Sequence, residues 1–205
     1  MVVAVSREPP LTRPQSVGPY RVADYERLPD EPRCELLFGR FYLSPSPSVL
    51  HQVLTLLLGR WLDDVATRSG GFALAAPVDV VLAPHSVVQP DLVYLTATSA
   101  ARAGQRIEGA PDLVVEVLSQ GTARRDRGEK LVLYAAAGVN EYWIVDAAER
   151  QIEFLVRHGD SFRVVVPPGP EYRSDTLPEL SLDLEELWSQ LDRRLERASY
   201  IGRAT

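Results

Sequence analysis

The sequence predicts a mixed α/β protein, with a central mixed sheet flanked by helices. One long amphipathic helix is expected early in the chain, and short apolar runs typical of strands follow it. A strand–helix–strand unit then covers the middle of the chain. Its first strand, "GAPDLVVEVLS" (109–119), is almost continuously apolar, which is typical of a strand buried on both faces of a sheet.

The first residues differ in composition from the rest of the chain. Residues 1–19 contain several prolines and end at a Gly18-Pro19 turn signal, which predicts a mobile N-terminal arm. Residues 20–205 have a length that suits one domain.

The first elements of that domain are a short helix over 21–28 and a hairpin over 34–45 that turns at its central glycine. The long helix comes next, and either Ser46 or Ser48 can cap its N-terminus. Apolar residues recur at helical spacing until Gly70 ends the pattern.

Strand-like runs follow the long helix at 72–75, 78–82 and 91–95. Residues 97–105 suit a small helix or a loop, and 112–118 form the buried strand within the apolar run 109–119. A second helix is predicted over 122–137, where Gly138 ends it.

The last third of the chain predicts a strand at 141–147 and a hairpin over 151–167 that turns at Gly159-Asp160. Prolines then interrupt the pattern, and a final amphipathic helix covers 182–199. Its apolar face can pack on the domain or on a second copy of the chain, so a homodimer is one expectation.

Composition excludes several classes of protein. The net charge of −6 gives no global positive field for nucleic acid, so a metal ion or a local basic patch would have to attract it. Cys34 is the only cysteine, which excludes a disulfide framework and a cysteine-rich zinc site. No apolar run reaches the ~18–20 residues that a membrane span needs, and no signal peptide is recognisable. The expected location is the cytoplasm.

Glu116 lies inside the apolar strand. Burying an ionised carboxylate there costs several kcal/mol or more unless a cation or a hydrogen-bond donor compensates its charge. Asp112 is four residues away, about 13 Å along a strand, too far to share a small ion with Glu116. Asp91 opens another apolar strand, and paired strands lie only about 4.8 Å apart. If those two strands are neighbours, Asp91 and Glu116 converge.

A basic group follows on the next helix, where Asp126, Lys130 and Tyr134 are spaced by four residues and therefore share one face. Two carboxylates and a lysine suit a hard oxygen site for Mg²⁺ or Mn²⁺. Glu116 and Lys130 also fit a purely structural ion pair. Asp126 is expected to pair with Lys130 or an arginine on the helix surface, and the Tyr134 hydroxyl is expected to point toward the polar site.

At this point "CELLFGRFYLSPSPSVLHQ", "QPDLVY", "GAPDLVVEVLS" and "RRDRGEKLVLYAAAGVNEYWIVD" together resemble the bacterial Uma family of predicted endonucleases, over about residues 20–190. That family has the restriction-endonuclease-like, PD-(D/E)XK fold. The resemblance implies a magnesium-dependent phosphodiesterase in which Asp91 and Glu116 ligate the metal with the backbone carbonyl of Val117. It also implies an assisting role for Glu35, and His51 lies beside a matching family position.

One departure from the superfamily pattern concerns the lysine. The signature places it two residues after the glutamate, where this chain has Leu118, and Lys130 on the following helix is the match. The chain also lacks the proline that family members tend to carry directly after the strand, which alters the turn leading to Lys130.

The resulting expectation is a Mg²⁺- or Mn²⁺-dependent endonuclease acting on nucleic acid, with DNA as the first candidate. A catalytically weak or inactive nuclease-fold module that keeps the acidic pocket is the alternative, favoured by the acidic composition and by Leu118. A glycoside hydrolase using Asp91 and Glu116 as its acid–base pair would need an open cleft lined with aromatic rings. The apolar surroundings of both acids argue against that third possibility.

Overall fold

Residues 16–119 and 121–201 are described by a computed structural model, so residues 1–15 of the predicted arm lie outside the described residues. The end of that arm contacts the first hairpin, where the Gly18 amide donates to the carbonyl of Phe38 at 2.7 Å. None of the helices in the described ranges combines the length and the apolar character needed to cross a bilayer.

The first half of the chain contains two helices and six strands: α1 (Val22–Tyr25), β1 (Cys34–Leu37), β2 (Arg40–Leu43), α2 (Val49–Ser69), β3 (Phe72–Ala75), β4 (Val80–Ala83), β5 (Ser86–Val88) and β6 (Leu92–Leu95). Ser48 caps α2, because its side chain accepts a hydrogen bond from the His51 amide at 3.2 Å. Gly70 ends the helix in a left-handed conformation, with φ at 73°. Both ends of the long helix are therefore confirmed.

The second half begins with a short 3₁₀ turn and continues through the remaining strands and helices: Ala100–Arg102, β7 (Ile107–Glu108), β8 (Leu113–Val117), α3 (Ala123–Arg125), a π-helical turn (Asp126–Lys130), α4 (Leu131–Ala137), β9 (Glu141–Asp146), β10 (Gln151–His158), β11 (Ser161–Val165), β12 (Glu171–Arg173), β13 (Ser181–Asp183) and α5 (Leu184–Ile201). The helix predicted over 122–137 is thus one helical segment, 123–137, with wider winding in its middle.

The predicted mixed sheet has six strands in the order β11-β10-β9-β8-β6-β3. β8 and β9 run parallel, as the strand–helix–strand unit requires, whereas the other neighbours are antiparallel. All five residues of β8 are buried, which confirms the strand buried on both faces.

A second sheet of five strands, in the order β2-β1-β5-β4-β7, lies over one face of the first. Leu37 and Val80 from this sheet share a buried cluster with Val114 of β8 and with Leu133 of α4. The opposite face of the six-stranded sheet packs against α2 and α5. The side chains of Leu113, Val115 and Val117 lie on this face. Because side chains alternate along β8, Glu116 lies on the Val114 face, under the helical segment and the five-stranded sheet.

Four short strands were not predicted. β5, β12 and β13 have three residues each and β7 has two, too few for a periodic pattern to show. Pairing of Tyr172 with Leu182 places 181–183 in a small two-stranded sheet, so the last helix begins at Leu184 rather than at residue 182.

Glu141, at the start of β9, links this small sheet to the core. Its side chain is fully buried and accepts hydrogen bonds from Trp143 Nε1 at 2.9 Å, Tyr172 OH at 2.9 Å and Thr176 Oγ1 at 2.6 Å, as well as from the Ser174 hydroxyl. The buried Glu141 carboxylate therefore has its hydrogen bonds supplied by neutral donors.

Candidate active site

Asp91 and Glu116 meet because their strands are neighbours. β6 and β8 pair antiparallel with Leu92 opposite Val115, so Asp91, one residue before β6, reaches the level of Glu116. The Val117 amide donates to Asp91 Oδ2 at 2.7 Å, which fixes the Asp91 side chain at this end of β8. The convergence inferred from strand spacing is present in the structure.

Lys130 lies between three carboxylates. Its Nζ is 2.8 Å from Glu116 Oε1, 2.9 Å from Glu35 Oε1 and 3.6 Å from Asp126 Oδ1, and only 3% of the residue is exposed. The buried Lys130 ammonium therefore compensates the charge of Glu116, the acid inside the apolar strand.

Lys130 is the only lysine in the sequence. Every other residue in the combined lysine and arginine count is an arginine. A lysine ammonium is a compact point charge with three donors, whereas a guanidinium is a wide planar fork. Three acids in a closed site suit the ammonium. The single lysine among 22 basic residues is a sequence signal that local pattern analysis does not use.

The charges of this cluster depend on one another. Burial raises the pKa of Glu116 well above its ordinary value, against the lowering effect of Lys130 and with further raising by Asp126 and Asp91. Burial alone would lower the pKa of Lys130, but Glu116, Glu35 and Asp126 outweigh it and raise that pKa well above its ordinary value. Lys130 therefore stays protonated.

Tyr134 orients the glutamate. Its hydroxyl donates to Glu116 Oε1 at 2.8 Å, as predicted from the helix face. Glu35 Oε1 accepts a similar hydrogen bond from the backbone amide of Gln89 at 2.8 Å. Within the described part of the chain, the second oxygens, Glu116 Oε2, Glu35 Oε2 and Asp91 Oδ1, accept no hydrogen bond.

His51 holds Asp91 from α2. Its Nε2 donates to Asp91 Oδ2 at 3.1 Å, while Nδ1 lies 3.4 Å from Thr55 Oγ1. The Thr55 hydroxyl also donates to the carbonyl of His51 at 2.9 Å. Burial lowers the pKa of His51, but the hydrogen bond and charge of Asp91 outweigh it, and the net shift is upward.

Asp126 lies near Lys130, one of its two expected partners, but the expected surface location is wrong. The residue is 1% exposed, and neither carboxylate oxygen has a hydrogen-bond partner in the described structure. Burial, above all, raises its pKa. The reason is tertiary, because the five-stranded sheet covers the helix face that carries Asp126 and Lys130, and the π-helical turn between them keeps both side chains inward.

Asp112 and Arg125 have structural roles. Asp112 lies at the far end of β8, where it accepts hydrogen bonds from the Thr96 backbone amide at 2.8 Å and from Asn140 Nδ2 at 3.1 Å. It lies outside the cluster, in agreement with its predicted distance from Glu116. At the start of the helical segment, the Arg125 guanidinium lies 4.3 Å above the Tyr42 ring.

The cluster opens into a pocket of about 110 Å³. Glu35, Asp91 and Glu116 line it together with His51 and Lys130, and Val117 contributes to the same wall. The loop 44–47 and Arg33 form part of its border.

The residues of this pocket fit a hydrated divalent ion. Asp91, Glu116 and the Val117 carbonyl offer hard oxygens, and Mg²⁺ commonly takes one or two carboxylates and keeps several waters. Among the described residues, no three His, Cys, Asp or Glu side chains are grouped so that they could hold a metal ion. An ion here would therefore depend on two carboxylates, a carbonyl and water.

Comparison with known proteins agrees with this architecture. A crystal structure from Anabaena variabilis, described as a "putative nuclease belonging to DUF820", shares the fold with a TM-score of 0.72 and 18% sequence identity. The match covers 84% of this chain and 99% of that one, and it confirms the predicted fold class. No curated protein matches the chain.

The sequence model of the Uma2 family, described as "Putative restriction endonuclease", matches residues 22–185. This range contains both sheets and the whole charged cluster, including Asp91, Glu116 and Lys130. The protein is therefore a member of the Uma2 family.

Proposed function

We propose that this protein is a metal-dependent endonuclease that hydrolyses phosphodiester bonds in nucleic acid, with DNA as the first candidate substrate. Family membership supports a nuclease-like function. The observation that carries the proposal is the meeting of Asp91, Glu116 and Lys130 in one pocket from three separate elements.

Asp91, Glu116 and the Val117 carbonyl are the residues that would hold Mg²⁺ or Mn²⁺. A bound divalent ion supplies an acidified water and offsets negative charge on a phosphate. The His51 Nε2–H group and the Val117 backbone amide orient Asp91 for this role, because both donate to Oδ2 and leave Oδ1 without a donor.

Lys130 and Tyr134 have the corresponding effect on Glu116. Both donate to Oε1 and leave Oε2 free to face the pocket. The ammonium favours the ionised form of Glu116, which is the form that binds a metal ion, and so opposes the effect of burial, which raises the pKa of Glu116. Glu35 shares Lys130 and is an auxiliary acid of the same cluster.

The direct test compares Asp91→Asn and Glu116→Gln with the wild-type protein and with Asp160→Asn, an exposed acid in the β10–β11 turn. Calorimetry with Mn²⁺ measures ion binding, and plasmid and single-strand DNA substrates measure cleavage in Mg²⁺. We expect both site variants to lose Mn²⁺ binding and cleavage, while Asp160→Asn retains both. Unchanged cleavage in either site variant would reject the assignment.

A binding module that does not cleave is the second candidate. It is favoured by the way Lys130 already neutralises the acids, and by Leu118 in the place where the superfamily signature has lysine. Mn²⁺ binding without turnover of single- or double-stranded DNA or RNA would support this module. A homodimer and a cytoplasmic location stay predictions, and sedimentation at micromolar concentration tests the first.

A further inference from the structure

We infer that Arg33 is the phosphate-binding cation of this pocket, and that the pocket holds nucleic acid by its sugar–phosphate backbone rather than by a base. The inference rests on the proposed nuclease function and names the chemical group that this site recognises.

The first support is the position of Arg33. It directly precedes β1, and its carbonyl accepts a hydrogen bond from the Ser44 amide at 2.9 Å, which fixes the backbone at the open end of the hairpin. Side chains alternate along a strand, so Arg33 lies on the same face as Glu35, about 7 Å further along. Both residues line the pocket.

The second support is that the other cations of the pocket are engaged. The Lys130 ammonium has three donors and three carboxylates around it, and the two nitrogens of the His51 ring contact Asp91 and Thr55. Arg33 is partly exposed and forms no ion pair or side-chain hydrogen bond with any described residue. Its guanidinium therefore retains all of its donors for a ligand.

The third support is the shape of the ligand that these donors suit. A guanidinium is planar and pairs with two oxygens of a phosphate at once, whereas a lysine ammonium acts as a point charge. Ser44 and Ser46 line the same border and add hydroxyl donors.

The fourth support is the size of the pocket. Its volume of about 110 Å³ is well below the roughly 300–1,000 Å³ of pockets that enclose whole small molecules. A phosphate group is small enough for such a pocket, whereas a nucleobase with its sugar is of the size that the larger pockets enclose. The bases of a bound strand therefore remain outside the pocket, and recognition here is independent of their identity.

The experiment compares Arg33→Gln and Arg33→Lys with Arg40→Gln, a matched exposed arginine at the turn of the same hairpin. The probe is a fluorescein-labelled single-stranded DNA of mixed sequence, and fluorescence anisotropy is measured in metal-free buffer over a range of salt concentrations. We expect Arg33→Gln to weaken binding by about tenfold or more and to reduce the salt slope by about one, since one phosphate contact is lost.

Arg33→Lys should recover part of the affinity, and Arg40→Gln should match the wild type. Mn²⁺ affinity and thermal stability of Arg33→Gln should equal those of the wild type, which a merely structural role would not predict. Permuting the base order of the probe should leave the affinity unchanged.

The outcomes separate this inference from the proposed function. A wild type that binds and cleaves DNA while Arg33→Gln binds equally well overturns the role of Arg33 and leaves the nuclease proposal standing. A strong preference for one base order overturns backbone recognition. A wild type that neither binds nor cleaves nucleic acid overturns both proposals.

Discussion

Replacing Lys130 with methionine tests the charged cluster most directly. Methionine has a similar length and no charge, so the substitution removes the ammonium while it keeps most of the buried volume. Glu116, Glu35 and Asp126 then share a closed site without their cation.

The expected loss of stability is large. Removing one partner of a buried ion pair costs about 3–5 kcal/mol, because the other charge stays buried without compensation. Three carboxylates around Lys130 place Lys130→Met in the upper part of that range. For a chain of this length, each kcal/mol shifts the melting temperature by about 2–4 °C, so we expect a decrease of roughly 10–20 °C near neutral pH.

The loss of stability in Lys130→Met should also depend on pH, and it should be larger at high pH. Burial already raises the pKa of Glu116, and removal of the ammonium takes away the main effect that lowers it. The folded variant then holds protons that the unfolded chain releases, so its stability falls as pH rises between the unfolded and folded pKa values. The difference between Lys130→Met and wild type should therefore narrow from about pH 8 toward about pH 5.

Urea unfolding followed by tryptophan fluorescence, to which the buried Trp143 contributes, measures this difference across the pH range. Arg124→Met is the matched control, since Arg124 is an exposed cation on the same helical segment and its loss should change stability by no more than about 0.5 kcal/mol. A loss below about 1 kcal/mol at pH 8, or a loss that does not change with pH, would refute the described charge cluster.

Three further predictions use the same unfolding assay. Tyr134→Phe removes the hydrogen bond to Glu116 and should cost about 1.5–3 kcal/mol, so a variant as stable as wild type would argue against that contact. Asp126→Asn removes a buried acid whose raised pKa lowers stability at high pH, and it should be at least as stable as wild type near pH 8, with the difference vanishing toward about pH 4. Glu141→Gln turns an amide donor toward donors such as Trp143 and should cost about 1–3 kcal/mol; equal midpoints in urea would contradict it.

Local patterns in the sequence predicted part of the site. Alternation along β8 and the apolar surroundings of Glu116 predicted a buried carboxylate that needs a partner. Helical spacing put Lys130 and Tyr134 on one face. These properties depend on residues close together in the chain, so a sequence pattern can report them. The convergence of Asp91 with Glu116 depended in addition on two strands being neighbours, which no local pattern reports.

The depth of burial could not be predicted in the same way. Spacing by four residues says that Asp126 shares a face with Lys130, but the cover over that face comes from a sheet formed mostly by residues 34–88. The same limit applies to His51, whose place at a helix start gave no sign that its ring would lie 3.1 Å from Asp91. Both properties arise from packing between distant segments.

The single lysine makes the protein unusually simple to probe by amine chemistry. A reagent that modifies primary amines has two targets in this sequence, the amino terminus and the ε-amine of Lys130. The fold shields the second, so its rate of modification reports how often the pocket opens. Isotope-labelled methylation under mild denaturant would therefore follow local opening at one known atom.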